Sequence, residues 1–155
     1  MKSLKLKKLS GKIILVDDQK YEKDLLELAL EEKGWEVQLE YFNAAEDALG
    51  YLGKTLDEIF LIISDMDMPK MNGLEFKKAI EKNFDAHRKS IPFIFASNAD
   101  TTEKIKEAFL YRAQGFFRKA PTVDEQAEML DIIIRYWIVS NHPNKDSGKE
   151  NTKLL

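Results

Sequence analysis

Five side chains in this sequence stand directly behind short apolar runs and share one kind of chemistry. "KIILV" leads into Asp17 and Asp18, "IFLIIS" into Asp65, "PFIFA" into Ser97 and "GFFR" into Lys119. Carboxylates gathered in one place repel each other unless a cation sits among them, and an oxygen-rich set without sulfur or imidazole suits a hard ion such as Mg2+. Such an ion pairs with phosphoryl oxygens, as would the Lys119 ammonium and the Ser97 hydroxyl. Each residue alone has a plainer use, because Asp and Ser cap helices and a lysine after a strand is usually solvated. It is their coincidence behind four apolar runs that argues for phosphoryl chemistry.

For these five to meet, the runs have to be strands of one sheet. "KIILV", "VQLEYF", "IFLII", "PFIFA" and "GFFR" are short and apolar or β-rich, whereas the segments between them repeat at helical spacing. Tyr21, Leu25, Leu28 and Ala29 form one helical stripe, Ala45, Ala48, Leu49 and Leu52 a second, and Phe76, Ala79, Ile80 and Phe84 a third. Ile105, Ala108 and Phe109 mark a fourth helix opened by Asp100 or Thr101, and a capping box from Thr122 to Glu125 opens the last, after Pro121. Five strands alternating with five helices predict a doubly wound α/β fold, its five-stranded parallel sheet covered on both faces. Ligands of such sheets bind beyond the carboxyl ends of the strands, where the chain order reverses.

The 155 residues fit one domain. With 24 Lys and Arg against 27 Asp and Glu, the formal charge of −3 argues against a nucleic-acid partner. The absence of cysteine excludes a disulfide framework and any thiolate metal site. No apolar run is long enough to span a bilayer and the start lacks the core of a signal peptide, so a cytoplasmic protein without membrane contact is expected. Residues 1–10, with Lys2, Lys5, Lys7 and Lys8, read as a basic leader, residues 11–140 as the folded domain, and residues 141–155 as a polar, disordered tail.

From Lys12 to about Trp137 the chain resembles the receiver domain of two-component response regulators, the CheY-like family with its flavodoxin-like fold. Four motifs in order carry the likeness: "ILVDD" resembles the acidic pair, "SDMDMPKMNG" the phosphoacceptor loop, "IPFIFAS" the hydroxyl-bearing strand, and "GFFRK" the switch aromatic and lysine. The resemblance implies that Asp65 takes a phosphoryl group from a phosphohistidine on a sensor histidine kinase or phosphotransfer protein. It implies direct ligation of Mg2+, or of Mn2+ in its place, by Asp18 and Asp65, with Asp17 acting through water and the backbone carbonyl of Asp67 completing the protein ligands. Ser97 and Lys119 would each hold a phosphoryl oxygen, while Asp67 and Asn98 line the pocket. Ser97 and Phe116 would form a switch acting on the face made by the fourth helix, fifth strand and fifth helix, so that phosphorylation controls a downstream protein target. Such a domain modifies itself and turns over no external substrate. Within the family the chain resembles the stand-alone regulators that relay signals from hybrid or phytochrome-type kinases.

Two other readings address the same residues. "DMDMP" also resembles the nucleophile motif of haloacid dehalogenase-like phosphatases, but there the nucleophile strand comes first and an acidic pair follows the lysine. A receiver-fold interaction module without switching is the other, against which all five chemical positions are filled. Asn98 departs from the small residue usual after the hydroxyl, Ser97 stands for Thr, and "KAP" places Pro121 one residue late, leaving open whether the peptide after Lys119 is cis. Pro69 is expected to stiffen its loop, Gly73 to permit a tight backbone, and Met68 and Met71 to pack. In the last helix Ala127, Leu130, Ile134 and Trp137 share one side, yet Met129, Ile132, Ile133 and Tyr136 occupy its neighbours. Apolar residues all round predict an association surface, in the first place a homodimer.

Overall fold

The computed structural model describes residues 7–98 and 101–143. Its elements run β1 (Lys7–Val16), α1 (Tyr21–Glu32), β2 (Trp35–Phe42), α2 (Ala45–Lys54), β3 (Ile59–Ser64), α3 (Gly73–Asn83), α4 (Ala86–Lys89), β4 (Phe93–Ser97), α5 (Thr102–Leu110), β5 (Gly115–Arg118) and α6 (Val123–Val139). The five strands pair in parallel in the order β2-β1-β3-β4-β5. The chain order therefore reverses between β1 and β3, and a crevice opens beyond their carboxyl ends.

The runs IILV of β1, IFLII of β3 and FIFA of β4 are apolar without alternation because both faces of the sheet are covered there, whereas β2 at the edge alternates. Ile14, Val16, Ile62, Phe93 and Phe95 point to the layer of α2, α3 and α5, where they meet Ala48, Leu52, Phe76, Ile80 and Ala108. Ile13, Leu15, Ile63, Ile94 and Ala96 point to the layer of α1 and α6, against Leu26, Ala29, Leu30, Leu130 and Ile134. Helix starts follow side-chain capping. Asn72 and Glu75 form a reciprocal capping box at α3, Thr101 accepts from the Lys104 N–H at α5, and Thr122 accepts from the Glu125 N–H at α6.

Several expectations shift. The sheet begins at Lys7, which pairs with Trp35, so residues 7–10 of the expected leader are strand, and Leu9 is buried. Leu9 stands there between Lys8 and Ser10 with no apolar neighbour to mark a strand, and Lys7 sets its ammonium over the Trp35 ring at 4.4 Å from the centroid. The buried stripe of α1 is Leu26, Ala29 and Leu30, whereas Tyr21 and Leu28 are exposed, because the helix is rotated by about one residue from the expected face. In α5 only Ala108 is fully buried, and Phe109 and Leu110 are exposed. A sixth helix, the four-residue α4, is nucleated by Asp85 accepting from the Arg88 N–H. Thr101 is the N-cap of α5, and its rival Asp100 lies outside the described residues, as do residues 1–6 and 144–155 of the leader and tail.

The start of the expected tail is built into the core. At the amino end of β3 the pairing skips Phe60, with Lys12 opposite Ile59 and Ile13 opposite Leu61. Phe60 and Leu61 then both face the α1 and α6 layer. His142, buried although it follows the last helix, stacks on the Phe60 ring with centroids 4.8 Å apart. Its Nε2 lies 2.6 Å from the Phe60 carbonyl, to which it donates. Replacing His142 with Ala should lower stability by about 2 kcal/mol, from a buried acceptor deprived of this donor and a lost ring contact. Urea unfolding checks this, and a loss below about 0.5 kcal/mol would show that the contact is incidental.

Candidate functional site

Three of the candidate residues are carried to the upper edge of the sheet by the last rung of a strand pairing. The Asp17 N–H donates to the Phe42 carbonyl, the Asp65 N–H to Val16 and the Lys119 N–H to Ser97, at 3.1, 2.9 and 3.0 Å. Backbone bonds thus hold Asp17, Asp65 and Lys119 at one level before any side chain contributes. Side-chain bonds shape the turns beyond. The Gln19 N–H donates to Asp17 Oδ1 at 2.9 Å, and the Ser64 hydroxyl to the Asp65 carbonyl at 2.9 Å.

The β3–α3 loop is held tight by contact. The Gly73 N–H donates to the Met66 carbonyl at 3.0 Å, and a Cβ on Gly73 would lie 2.1 Å from the Asp65 carbonyl oxygen. Glycine is required here for space rather than for a left-handed backbone, which falls instead on Lys70 with φ 64°. Met66 and Met68 are buried in the core and Met71 packs against it, while Pro69 is exposed.

Asp17, Asp18 and Asp65 present carboxylate oxygens that all lie within 4.8 Å of one another. The donor chemistry, three hard oxygens on converging backbones, fits a divalent cation. Lys119 reaches the same point from β5. Its Nζ lies 2.7 Å from Asp17 Oδ2, 3.5 Å from Glu22 Oε1 and 3.7 Å from Asp65 Oδ2. Burial raises the Asp65 carboxyl to about 6, Asp17 adds to the rise, and Lys119 opposes it. Lys119 itself is raised despite burial, because Asp17 bonds and attracts it and Asp65 and Glu22 add to the field.

Four predicted residues therefore meet: Asp17, Asp18, Asp65 and Lys119. Ser97 is buried at the end of β4, the strand beside β3. Asp67 is at the rim, its N–H 3.4 Å from Asp65 Oδ1, but its side chain turns outward to Lys104 Nζ of α5 at 2.9 Å. Asn98 is exposed. Phe116 is half-buried on β5 with its ring 6.2 Å from that of Phe95. The peptide after Lys119 is trans. Two residues at the site escaped the sequence reading. Glu22 lies four residues after Asp18 in the first turn of α1, a spacing that returns it over the strand end. Tyr41, in "VQLEYF", donates its hydroxyl to the Asp17 carbonyl at 2.7 Å. Burial pushes the carboxyl of Glu22 and the phenol of Tyr41 up.

Residues 13–131 match the sequence family described as "Response regulator receiver domain". The chain is 27% identical over 142 residues to Response regulator Rre1 of Synechocystis sp., covering 92% of this chain and 58% of that protein. It is 26% identical over 122 residues to the probable chemotaxis protein CheY of Rhizobium etli, covering 79% of this chain and 91% of that one. In fold it is similar to the phosphorylated cyanobacterial phytochrome response regulator RcpA, with a TM-score of 0.77 at 21% identity over 86% of this chain and 99% of that one. The CheY match apart, the chain spans 58% or less of the length of these curated relatives.

A carboxyl whose pKa rises on folding, here from 3.8 to about 6, binds its proton more tightly when folded. The stability it contributes is complete below the unfolded value and is lost as pH rises through the folded one. Ionised Asp65 should therefore cost the metal-free protein roughly 1–3 kcal/mol at pH 7. Asp65→Asn should recover most of this at pH 7 and nothing near pH 4. Denaturation of both proteins in chelator across that pH range checks it, and equal stability at pH 7 would contradict the electrostatic account.

Proposed function

Because the chain belongs to the receiver domains of the response regulators, whose place in two-component signalling is that of phosphoacceptor, we propose that Asp65 is its phosphoacceptor, supplied by a phosphohistidine of a sensor kinase or phosphotransfer protein. The observation that carries this is the meeting of Asp65 with Asp17, Asp18 and Lys119 at the switch point of the sheet. A carboxylate Oδ of Asp65 attacks phosphorus, a P–O bond forms as the P–N bond breaks, and the electron pair leaves with the imidazole nitrogen. Lys119 and Ser97 hold equatorial phosphoryl oxygens as charge redistributes.

Receiver domains bind a divalent metal in an acidic cluster, which in this chain is Asp17, Asp18 and Asp65. Mg2+ is the ion we propose, held by Asp18, Asp65 and the Asp67 backbone carbonyl, with Mn2+ able to replace it. Bound there, it neutralises carboxylate and phosphoryl charge. Asp17 has one oxygen on Lys119 and the other on the Gln19 N–H. Those bonds favour a water-mediated part for it.

The domain is a signalling module, and among its described residues no helix is long and apolar enough to cross a membrane. We place it in the cytoplasm, acting on a protein target without turnover of an external substrate. The output surface is α5, β5 and α6. Phe116 packs at the outer end of the rings of Phe76, Phe93 and Phe95, so inward motion of Ser97 and Phe116 would reshape this face. On α6 Ile132, Tyr136 and Val139 are exposed, at 64%, 61% and 77%, beside a groove between α6 and β5 lined by Ile94, Phe117 and Trp137. A second copy of the chain suits so apolar a patch, since one surface then serves both sides.

With Mg2+ and acetyl phosphate the wild-type protein should gain one phosphoryl group by intact mass, and Asp65→Asn none. Labelling of that variant at the wild-type level would refute the assignment. Asp18→Ala should weaken Mg2+ binding by at least about tenfold in titration calorimetry, the loss of one charged ligand. For the output face, sedimentation at micromolar concentration should show beryllofluoride favouring a dimer. A monomer in both states would leave a different protein as the occupant of that face.

A further inference from the structure

Glu22 belongs to none of the four motifs, yet its carboxylate faces the lysine at the centre of the site. It lies in the first turn of α1 with its side chain 12% exposed, and among the described residues its ion-pair partner is Lys119. The ammonium sits between two attractions. Asp17 at 2.7 Å and Glu22 at 3.5 Å hold it on the β1 and α1 side, and Asp65, at 3.7 Å, is the farthest of the three. To bond a phosphoryl oxygen on Asp65, Lys119 has to shift toward β3 and loosen at least one of the other contacts.

Asp17 cannot be relieved without disturbing the acidic cluster and the turn at Gln19. Glu22 lies outside that cluster, so its pull on Lys119 is separable from metal binding. We infer that Glu22 is a positioning residue that holds the Lys119 ammonium back from Asp65 in the resting state and competes for it with the incoming phosphoryl group. This rests on Asp65 being the phosphoacceptor. It adds a brake whose strength is set by a side chain on α1, the helix that packs against α6 of the output face.

A plainer role for an acidic residue in the first turn of a helix is to complement its positive end. The two roles part in what the variants do. Glu22→Gln keeps the size and removes the charge, and both accounts allow some loss of helix stability. Only the brake makes phosphoryl uptake easier, and only through Lys119. In Mg2+, Glu22→Gln should lower the beryllofluoride concentration for half-saturation and speed acetyl phosphate labelling, each by about three- to tenfold, as expected for one partly buried ion pair. In a Lys119→Ala background the same substitution should change either quantity by less than about twofold, the coupling a double-mutant cycle isolates. A third readout uses neither metal nor phosphoryl group. In a metal-free crystal structure of Glu22→Gln the Lys119 Nζ to Asp65 distance should close from 3.7 Å to hydrogen-bonding range, below about 3.2 Å.

Unchanged uptake in Glu22→Gln, an equal gain in both backgrounds, or Lys119 remaining 3.7 Å from Asp65 in that crystal structure would each overturn the brake. Failure of the wild-type protein itself to take beryllofluoride or label would instead count against Asp65 as phosphoacceptor.

Discussion

Burying several carboxylates at one point requires positive charge at that point, and in the protein itself Lys119 supplies it. The Lys119–Asp17 contact, 2.7 Å long with the two side chains 7% and 2% exposed, is the interaction around which the upper edge of the sheet is arranged. It joins residues 102 positions apart. It also reaches from the end of β5 to the end of β1, past β4 and β3. Without it Asp17 would be an uncompensated charge, since moving an ion into such a site costs several kcal/mol. Charge is still not balanced. Asp65 and Glu22 share the same ammonium at longer range, and both carboxyls are driven up by burial. An anionic pocket that is short of cations is a poor stability device and a good receptor for a divalent ion.

So demanding a cluster depends on backbone register. A one-residue slip of β1 or β3 would turn Asp17 or Asp65 to the opposite face of the sheet. The register is fixed below by Ile, Leu and Phe side chains buried on both faces, and above by rungs from the carboxylate residues themselves. The Gly73 contact with the Asp65 carbonyl ties α3 to the same point, leaving no room even for a methyl group. Rings continue the packing outward from α3 to β4 and on to Phe116 of β5. Densely packed rings transmit a displacement rather than absorbing it.

The opposite end of the sheet shows how polar groups behave where stability alone is at stake. Lys12 is matched there by Glu40 and Asp57 at 2.9 and 2.7 Å, and Trp35 donates to Asp131 of α6 at 2.7 Å. His142 satisfies the carbonyl exposed by the Phe60 bulge. Lys12 and Asp131 at this pole each meet an opposite charge or a donor, whereas at the other pole carboxylates outnumber cations.

The features legible from residue types and spacing are local and periodic. Apolar runs of strand length alternating with helical spacing settle the class of fold, since unbroken Val, Ile and Phe runs have to be covered on both sides. Polar residues directly behind four such runs then fall at one edge, and so Asp17, Asp18, Asp65, Ser97 and Lys119 were legible. Capping by Thr101 and Thr122 was legible for the same reason, because a cap acts over three residues. Contacts without a local signature came from long-range packing. The face of α1 depends on how it lies against α6, which moved the buried stripe to Leu26, Ala29 and Leu30. The strand character of Lys7–Ser10 depends on pairing with β2, and the docking of His142 on a bulge 82 residues away. The outward turn of Asp67 needs Lys104 from another helix. Glu22 meets Lys119 because β5 and α1 converge over one strand end, a coincidence of position that neither residue's neighbours encode.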